Sequence, residues 1–331
     1  MADEARDTIV IGTSAGGVDA LPRVIATLPR TFPAAVLIAQ HLGDYEDSQL
    51  ASIIQGQAQI EVRWAAQGDH IDVGRVYVCP PGVHMLVVDS HLQLMATARE
   101  NFVRPSIDRL FRSAAALRGA RTIGVLLTGL LDDGVAGLAA IRDAGGVAIV
   151  QDPEDADFPD LPRRALEKLA PDLVLPISKI GPQLQQLAGT PAPRREPPRL
   201  VSAEAALDRD DPADPRRMSA LGPQTSISCP ECGGPTWAVG SKARDRYRCY
   251  LGHVATAREI VANTNDQVEA ALWTAVRALC ERAMTYNSLA DDAAADGKAQ
   301  ASELFRTRAR AAREQAETAR RFMVELATTV Q

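Results

Sequence analysis

Ser14, His41 and Asp133 are a hydroxyl, an imidazole and a carboxylate, and each follows a short apolar run. Together such groups can do acyl-transfer chemistry. A serine hydroxyl becomes a nucleophile when a base takes its proton, and histidine is the usual base. A carboxylate then fixes the imidazole tautomer and stabilises the imidazolium. Ser14 lies in Gly12-Thr13-Ser14-Ala15-Gly16-Gly17, a tight turn ahead of a helical pattern. A helix N-terminus there favours the anion that forms when serine attacks a carbonyl. The same glycines invite a dinucleotide-binding reading. That fingerprint needs a middle glycine where Ser14 stands, and an acid after the second run where His41 stands. Each residue alone has a structural reading: Ser14 as an N-cap, His41 as a buried histidine, Asp132 or Asp133 as a helix cap. The three together favour catalysis.

A second constellation is Cys229-Pro230-Glu231-Cys232, followed by Cys249 and His253. Two ligand pairs separated by a short hairpin supply a tetrahedral, thiolate-rich set suited to zinc. All four positions are filled by protein, so the expected zinc is structural and not catalytic. So small a module has little core, and metal binding would supply its folding free energy. The redox reading of Cys-x-x-Cys lacks a strand–helix context. Cys79 and Cys280 read as ordinary buried or half-buried thiols. His70, His84 and His91 read as surface or hairpin residues, and Arg104 as a holder of an acidic substrate group or a local partner.

Something must carry these residues. Apolar runs at 8–12, 34–40, 75–79, 122–129, 147–151 and 172–176 alternate with helical patterns at 17–28, 46–55, 106–118, 134–144, 160–169 and 178–188. The expected fold is α/β, a doubly wound, mostly parallel sheet with an edge hairpin at 84–88 and 91–95. The first three groups then fall at the carboxyl edge of the sheet, where such folds place their sites. Residues 1–188 form this domain. Residues 189–225, rich in proline and charge, read as a disordered or semi-rigid linker. The cysteine cluster at 226–258 reads as a zinc ribbon. Residues 259–331 read as an α-helical hairpin turning near Asp296-Gly297. Its stripes are Val268, Leu272, Ala275, Leu279, Ala283 and Tyr286, then Leu304, Ala312, Ala316, Ala319, Met323 and Leu326.

The chain has 331 residues, of which 46% are hydrophobic, and a net charge of -6. The acidic balance speaks against a nucleic-acid partner. No apolar run approaches the ~20 residues that span a bilayer, and the start lacks a basic leader, so the expected setting is cytoplasmic without membrane insertion.

Four segments, VIGTSAGGVDAL, IAQHL, RPSIDRLF and LLTGLLDDGVAGL, occur in that order. They resemble the catalytic domain of the CheB chemotaxis methylesterases across about residues 7–188. The resemblance implies hydrolysis of glutamate methyl esters on methyl-accepting chemoreceptors or another methylated protein, with methanol released and glutamine deamidation as a further activity. It places the serine, histidine and aspartate on Ser14, His41 and Asp133, and the oxyanion-binding amides near Ala15 and Leu130. No cofactor enters that chemistry. Two positions depart from the pattern: Ala15 replaces a frequent threonine, and Asp132 a frequent asparagine, placing a second carboxylate beside Asp133. Typical members also carry an N-terminal receiver domain. This sequence begins almost at its first apolar run, so regulation by phosphorylation in cis is not expected. The alternative is a catalytically weak scaffold in a chemosensory complex. The ribbon and helices are expected to be separable from catalysis. Residues 265–329 would dock a helical partner or self-associate, or else pack across the mouth of the site.

Overall fold

The computed structural model describes residues 4–42, 48–209, 214–240 and 246–329. The chain forms two compact units, Met1–Ala257 and Arg258–Gln331. The first is built on buried apolar strands: β1 (Thr8–Thr13), β2 (Ala35–Gln40), β3 (Glu61–Trp64), β4 (Arg75–Val78), a hairpin of β5 (His84–Val88) and β6 (His91–Met95), then β7 (Thr122–Leu126), β8 (Val147–Gln151) and β9 (Leu173–Leu175). The seven-stranded sheet has the order β3-β4-β2-β1-β7-β8-β9, and its pairings are parallel. Helices α1 (Gly17–Ile25), α2 (Leu50–Gln55), α3 (Ile107–Arg118), α4 (Val135–Asp143), α5 (Asp160–Lys168) and α6 (Ile177–Leu187) connect the strands. The start of the helix expected from residue 46 lies partly outside the described residues.

Successive residues of β1 serve opposite cores. Ile9 and Ile11 pack with Leu21, Val24 and Leu184, whereas Val10 packs with Leu110, Phe111 and Leu138. A strand covered on both faces needs apolar side chains at every position, which is why these runs are continuous. The edge strand β3 alternates instead, with Glu61 exposed and Val62 buried. The hairpin expected at the sheet edge forms its own two-stranded sheet, and β3 and β9 are the edges. Residues 84–87 are all buried, so the hairpin needs cover on both sides. Part of that cover is α3, whose Ser113 hydroxyl accepts from Val87 N at 3.0 Å.

The described residues of the stretch expected as a linker, 189–225, contain α7 (Arg199–Arg209) and α8 (Pro215–Met218). Val201, Ala205 and Leu207 are buried, and so are Glu204 and Asp208. The charges that suggested disorder are here paired. Arg112 of α3 donates to Asp208 at 2.7 Å and lies 3.2 Å from Glu204. Four antiparallel strands follow: β10 (Gln224–Ser228), β11 (Pro235–Val239), β12 (Arg246–Cys249) and β13 (Val254–Thr256). Trp237 and Val239 share a small core with Leu207, Met218 and Leu221. The first compact unit therefore runs through the cysteine-bearing strands, past residue 188.

In the second unit α9 (Ala257–Ala295) turns into α10 (Ala299–Thr329). Tyr286 stacks on Phe305, and the Ser302 hydroxyl donates to Ala290 O at 2.8 Å, so the helices are antiparallel. The seam is Val276, Ala283 and Ala290 against Ser302, Ala309, Ala312 and Ala316, all buried. Steps of seven between small residues let the two backbones approach closely. Of the expected stripe, Ala283, Ala312 and Ala316 lie in the seam, whereas Val268, Ala275 and Leu304 are exposed. The Leu326 side chain lies outside the described residues. No described helix is long and apolar enough to cross a membrane.

Candidate functional site

Ser14, His41 and Asp133 follow β1, β2 and β7, which are neighbours in the sheet. The strand order changes direction between β1 and β7, the point at whose carboxyl edge such sheets place their sites. Parallel pairing carries His41 to Ser14: His41 N donates to Thr13 O at 3.2 Å. Gln40 fixes the turn, donating through Nε2 to Ser14 O and His41 O at 2.8 and 2.9 Å. On the other flank Ser14 N donates to Thr128 O at 3.1 Å, which lays residues 128–130 beside the serine. Ala15 follows Ser14 directly, and Thr128 Oγ1 donates to its carbonyl at 3.1 Å.

The side chains meet in a relay. His41 Nδ1 lies 3.0 Å from Ser14 Oγ, and His41 Nε2 lies 2.7 Å from Asp133 Oδ2. A carboxylate accepts only, so the proton of the neutral ring belongs on Nε2, which leaves the Nδ1 lone pair facing the serine. Asp133 is buried at the start of α3. Its Oδ2 also accepts from Ile107 N at 2.7 Å, and its Oδ1 from Asp108 N at 3.2 Å, the Ser106 hydroxyl at 2.9 Å and Asn101 Nδ2 at 3.1 Å. The carboxylate thus sits on the positive end of a helix.

α3 reaches Asp133 because two glycines make room for Ile107. A Cβ on Gly12 would lie 2.1 Å from Ile107 Cγ2, and one on Gly134 2.7 Å from the same atom. Gly134 also has φ 102°, which admits few other residues.

Asp132, the extra acid beside Asp133, faces Arg164 at 3.5 Å and Lys168 at 3.9 Å. The carboxyl that does crowd Asp133 is Asp108. Burial, and then Asp133 itself, push its acid well above the usual range, and its Oδ1 accepts from Gly137 N at 2.6 Å. His84 is a hairpin residue, and a buried one. It lies on β5, its Nδ1 accepts from Ser106 N at 3.1 Å, and its Nε2 donates to Ala98 O at 3.0 Å. Burial, and then Arg109, lower its pKa to about 3. Nothing in a linear pattern marks His84, Asn101 or Ser106 as supports of Asp133, since all three act through folded proximity. His70 is exposed and pairs with Asp72, and Arg104 donates to Thr97 O at 2.7 Å.

Cys229, Cys232, Cys249 and His253 come together, their ligand atoms all within 4.8 Å of one another. Cys232 Sγ is 3.7 Å from Cys249 Sγ, and Cys249 Sγ is 3.5 Å from His253 Nδ1. Regular tetrahedral bonds to zinc would set those separations at about 3.8 and 3.5 Å, so the donor set fits. Cys79 is buried, and burial pushes its thiol up. Cys280 is half-buried.

A family model described as CheB methylesterase matches residues 9–184. A relative from Leptospira interrogans is 40% identical over 176 residues, which cover 53% of this chain and 91% of the relative. The protein-glutamate methylesterase/protein-glutamine glutaminase 2 of Anaeromyxobacter dehalogenans is 38% identical over 181 residues, 55% of this chain and 53% of its own. This chain therefore spans about half of that relative. Among solved structures, the Thermotoga maritima CheB methylesterase catalytic domain aligns with a TM-score of 0.53 and 31% identity, covering 55% of this chain and 98% of that one.

Proposed function

The chain belongs to the CheB methylesterase family, and on that footing we propose that it hydrolyses glutamate methyl esters on a methylated protein and releases methanol. The observation that carries this is the Ser14–His41–Asp133 relay. Ser14 Oγ attacks the ester carbonyl while His41 Nδ1 takes its proton. The backbone amides of Ala15 and Leu130 hold the oxyanion, and Asp133 stabilises the imidazolium. His41 then protonates the departing methoxide. Water, deprotonated by the same nitrogen, releases glutamate and frees Ser14. Glutamine deamidation needs the same steps with ammonia as the leaving group, and the Anaeromyxobacter relative carries both activities in its name.

The substrate is a methyl-accepting chemoreceptor, a long helical protein. The α9–α10 hairpin, with Trp273, Met284 and Phe322 exposed, docks a helical partner of that kind. Cys229, Cys232, Cys249 and His253 hold a structural zinc. A cytoplasmic setting suits that site, because reducing conditions keep its thiols free to ligate. The test is methanol release from a methylated receptor, with Ser14→Ala as control and ammonia release from unmethylated receptor as the second readout. Equal methanol from wild type and Ser14→Ala would overturn the reading.

A further inference from the structure

We propose that the Cys/His ribbon positions the active-site aspartate, acting through Asn101. This rests on the esterase reading and adds a positioning residue to it. Asp133 Oδ1 takes three donors, from Ser106, Asp108 and Asn101. The first two are the cap and first turn of α3. Asn101 is different. It comes from the irregular stretch between β6 and α3, and both Asn101 and Phe102 hold positive φ, 54° and 61°. Asparagine visits that region readily, but a bulky residue such as Phe102 stays there only when its surroundings hold it.

The ribbon supplies those surroundings. Asn101 N donates to Val254 O at 2.6 Å, and Val254 N donates back to Arg99 O at 3.4 Å. Gly252 O accepts from Arg109 Nη2 at 2.8 Å. Arg109 in turn binds Ala98 O, the Thr97 hydroxyl and Glu100. Gly252 and Val254 stand on either side of His253, so the backbone that presents a metal ligand also grips the loop around Asn101. Glu100, Asn101, Arg109 and Val254 are all buried, and water does not compete for these bonds. The connection is contiguous: His253, Val254, Asn101, Asp133, His41. If the ribbon loosens, Asp133 keeps its α3 donors and the sheet stays folded. What is lost is one donor and the fixed aim of the carboxylate. The effect therefore falls on turnover and not on substrate binding.

The test compares wild type and Asn101→Ala as full-length proteins, each as purified, after stripping with a metal chelator, and after reloading with Zn2+. A small methyl ester reports kcat and KM, and hydrogen exchange read by mass spectrometry reports residues 97–105 and Thr8–Thr13. Asn101→Ala is expected to lower kcat about tenfold with little change in KM. It should also move the acid limb of the kcat/KM profile to higher pH, because a carboxylate short of a donor holds the imidazolium proton more tightly. Stripping wild type should speed exchange at 97–105 while Thr8–Thr13 stays protected, and lower kcat by a similar factor. Zn2+ should reverse both changes. Stripping Asn101→Ala should lower kcat no further, since the two changes break one connection. The proposal falls if Asn101→Ala keeps the wild-type kcat and pH profile, if stripping leaves 97–105 unchanged, or if Thr8–Thr13 opens along with it. A wild type without ester turnover would sink the esterase reading, and the exchange arm would still decide this one.

Discussion

His41 offers Nδ1 to Ser14 and Nε2 to Asp133, the reverse of the ring order familiar from serine proteases. Either nitrogen serves as base, provided the other carries the proton, and Asp133 sees to that. Ser14→Ala should therefore cut methanol release by about 10⁴-fold or more. Ser14 sits on a turn, so the thermal midpoint should barely move. His84 makes a different prediction. Its pKa is lowered to about 3 in the fold, against about 6.5 when unfolded. The unfolded chain gains a proton there as pH falls below 6.5, and the folded chain does not until about 3. Stability is thus fully present above 6.5 and is lost as pH falls through that window, by about 1.4 kcal/mol per pH unit for one proton. Urea unfolding at pH 7 and pH 5 should show a smaller drop for His84→Gln than for wild type. An equal drop would mean that His84 carries none of the acid sensitivity. The convergence of Ser14, His41 and Asp133 is legible in the sequence because each follows an apolar run. The roles of His84 and Asn101 are not, since their partners are set by the fold.

Between elements, the fit that bears on Asp133 is the start of α3 against β1. Gly12→Ala would place a methyl 2.1 Å from Ile107 Cγ2. The helix must then back away, and Ile107 N leaves Asp133. Both thermal midpoint and kcat should fall, and the double variant Gly12→Ala with Ile107→Ala should recover part of both. Failure of the second change to restore anything would show that the clash lies elsewhere. The strands of the sheet were readable because burial on both faces forces unbroken apolar runs. β3 and β10 escaped notice for the opposite reason: Glu-Val-Arg-Trp and Gln-Thr-Ser-Ile-Ser alternate, and only half of each is covered. Periodicity reveals the helical hairpin and part of its seam, since Ala283, Ala312 and Ala316 lie in it. Large residues such as Leu304 mislead, because much of the contact is made by small residues that only a close approach can use.

For the whole molecule, the decisive feature is a buried set of charges joining α3, α7 and the ribbon. Arg112 donates to Glu100 at 2.7 Å and to Asp208 at 2.7 Å, Arg248 donates to Asp208 at 2.6 Å, and Arg246 holds Glu204 through both nitrogens at 2.9 and 3.0 Å. Burial works against the charge on Glu100, but Arg112 and then Arg109 hold its carboxyl below the usual range. Breaking a buried pair leaves an uncompensated charge and costs about 3–5 kcal/mol. A chain ending at residue 190 lacks Glu204, Asp208, Arg246 and Arg248. It should be markedly less stable and turn over even a small ester poorly. A chain ending at residue 257 keeps the first compact unit. It should match the full chain on a small ester and bind the receptor more weakly. Equal activity for both truncations would contradict the structural role assigned to the ribbon. Composition hid this network, because paired charges and solvated charges look alike in a string of letters.

The remote clamp on Asn101 also sets an order of events during synthesis. Asp133 is made 121 residues before Val254. At roughly 5–20 residues per second, the ribosome exposes the nucleophile, the base and the aspartate several seconds before the segment that steadies them. Throughout that interval the growing chain carries a complete set of reactive groups without their support, and a message cut short leaves it so permanently. Full hydrolytic competence therefore arrives late in translation, and broken transcripts yield weak hydrolases.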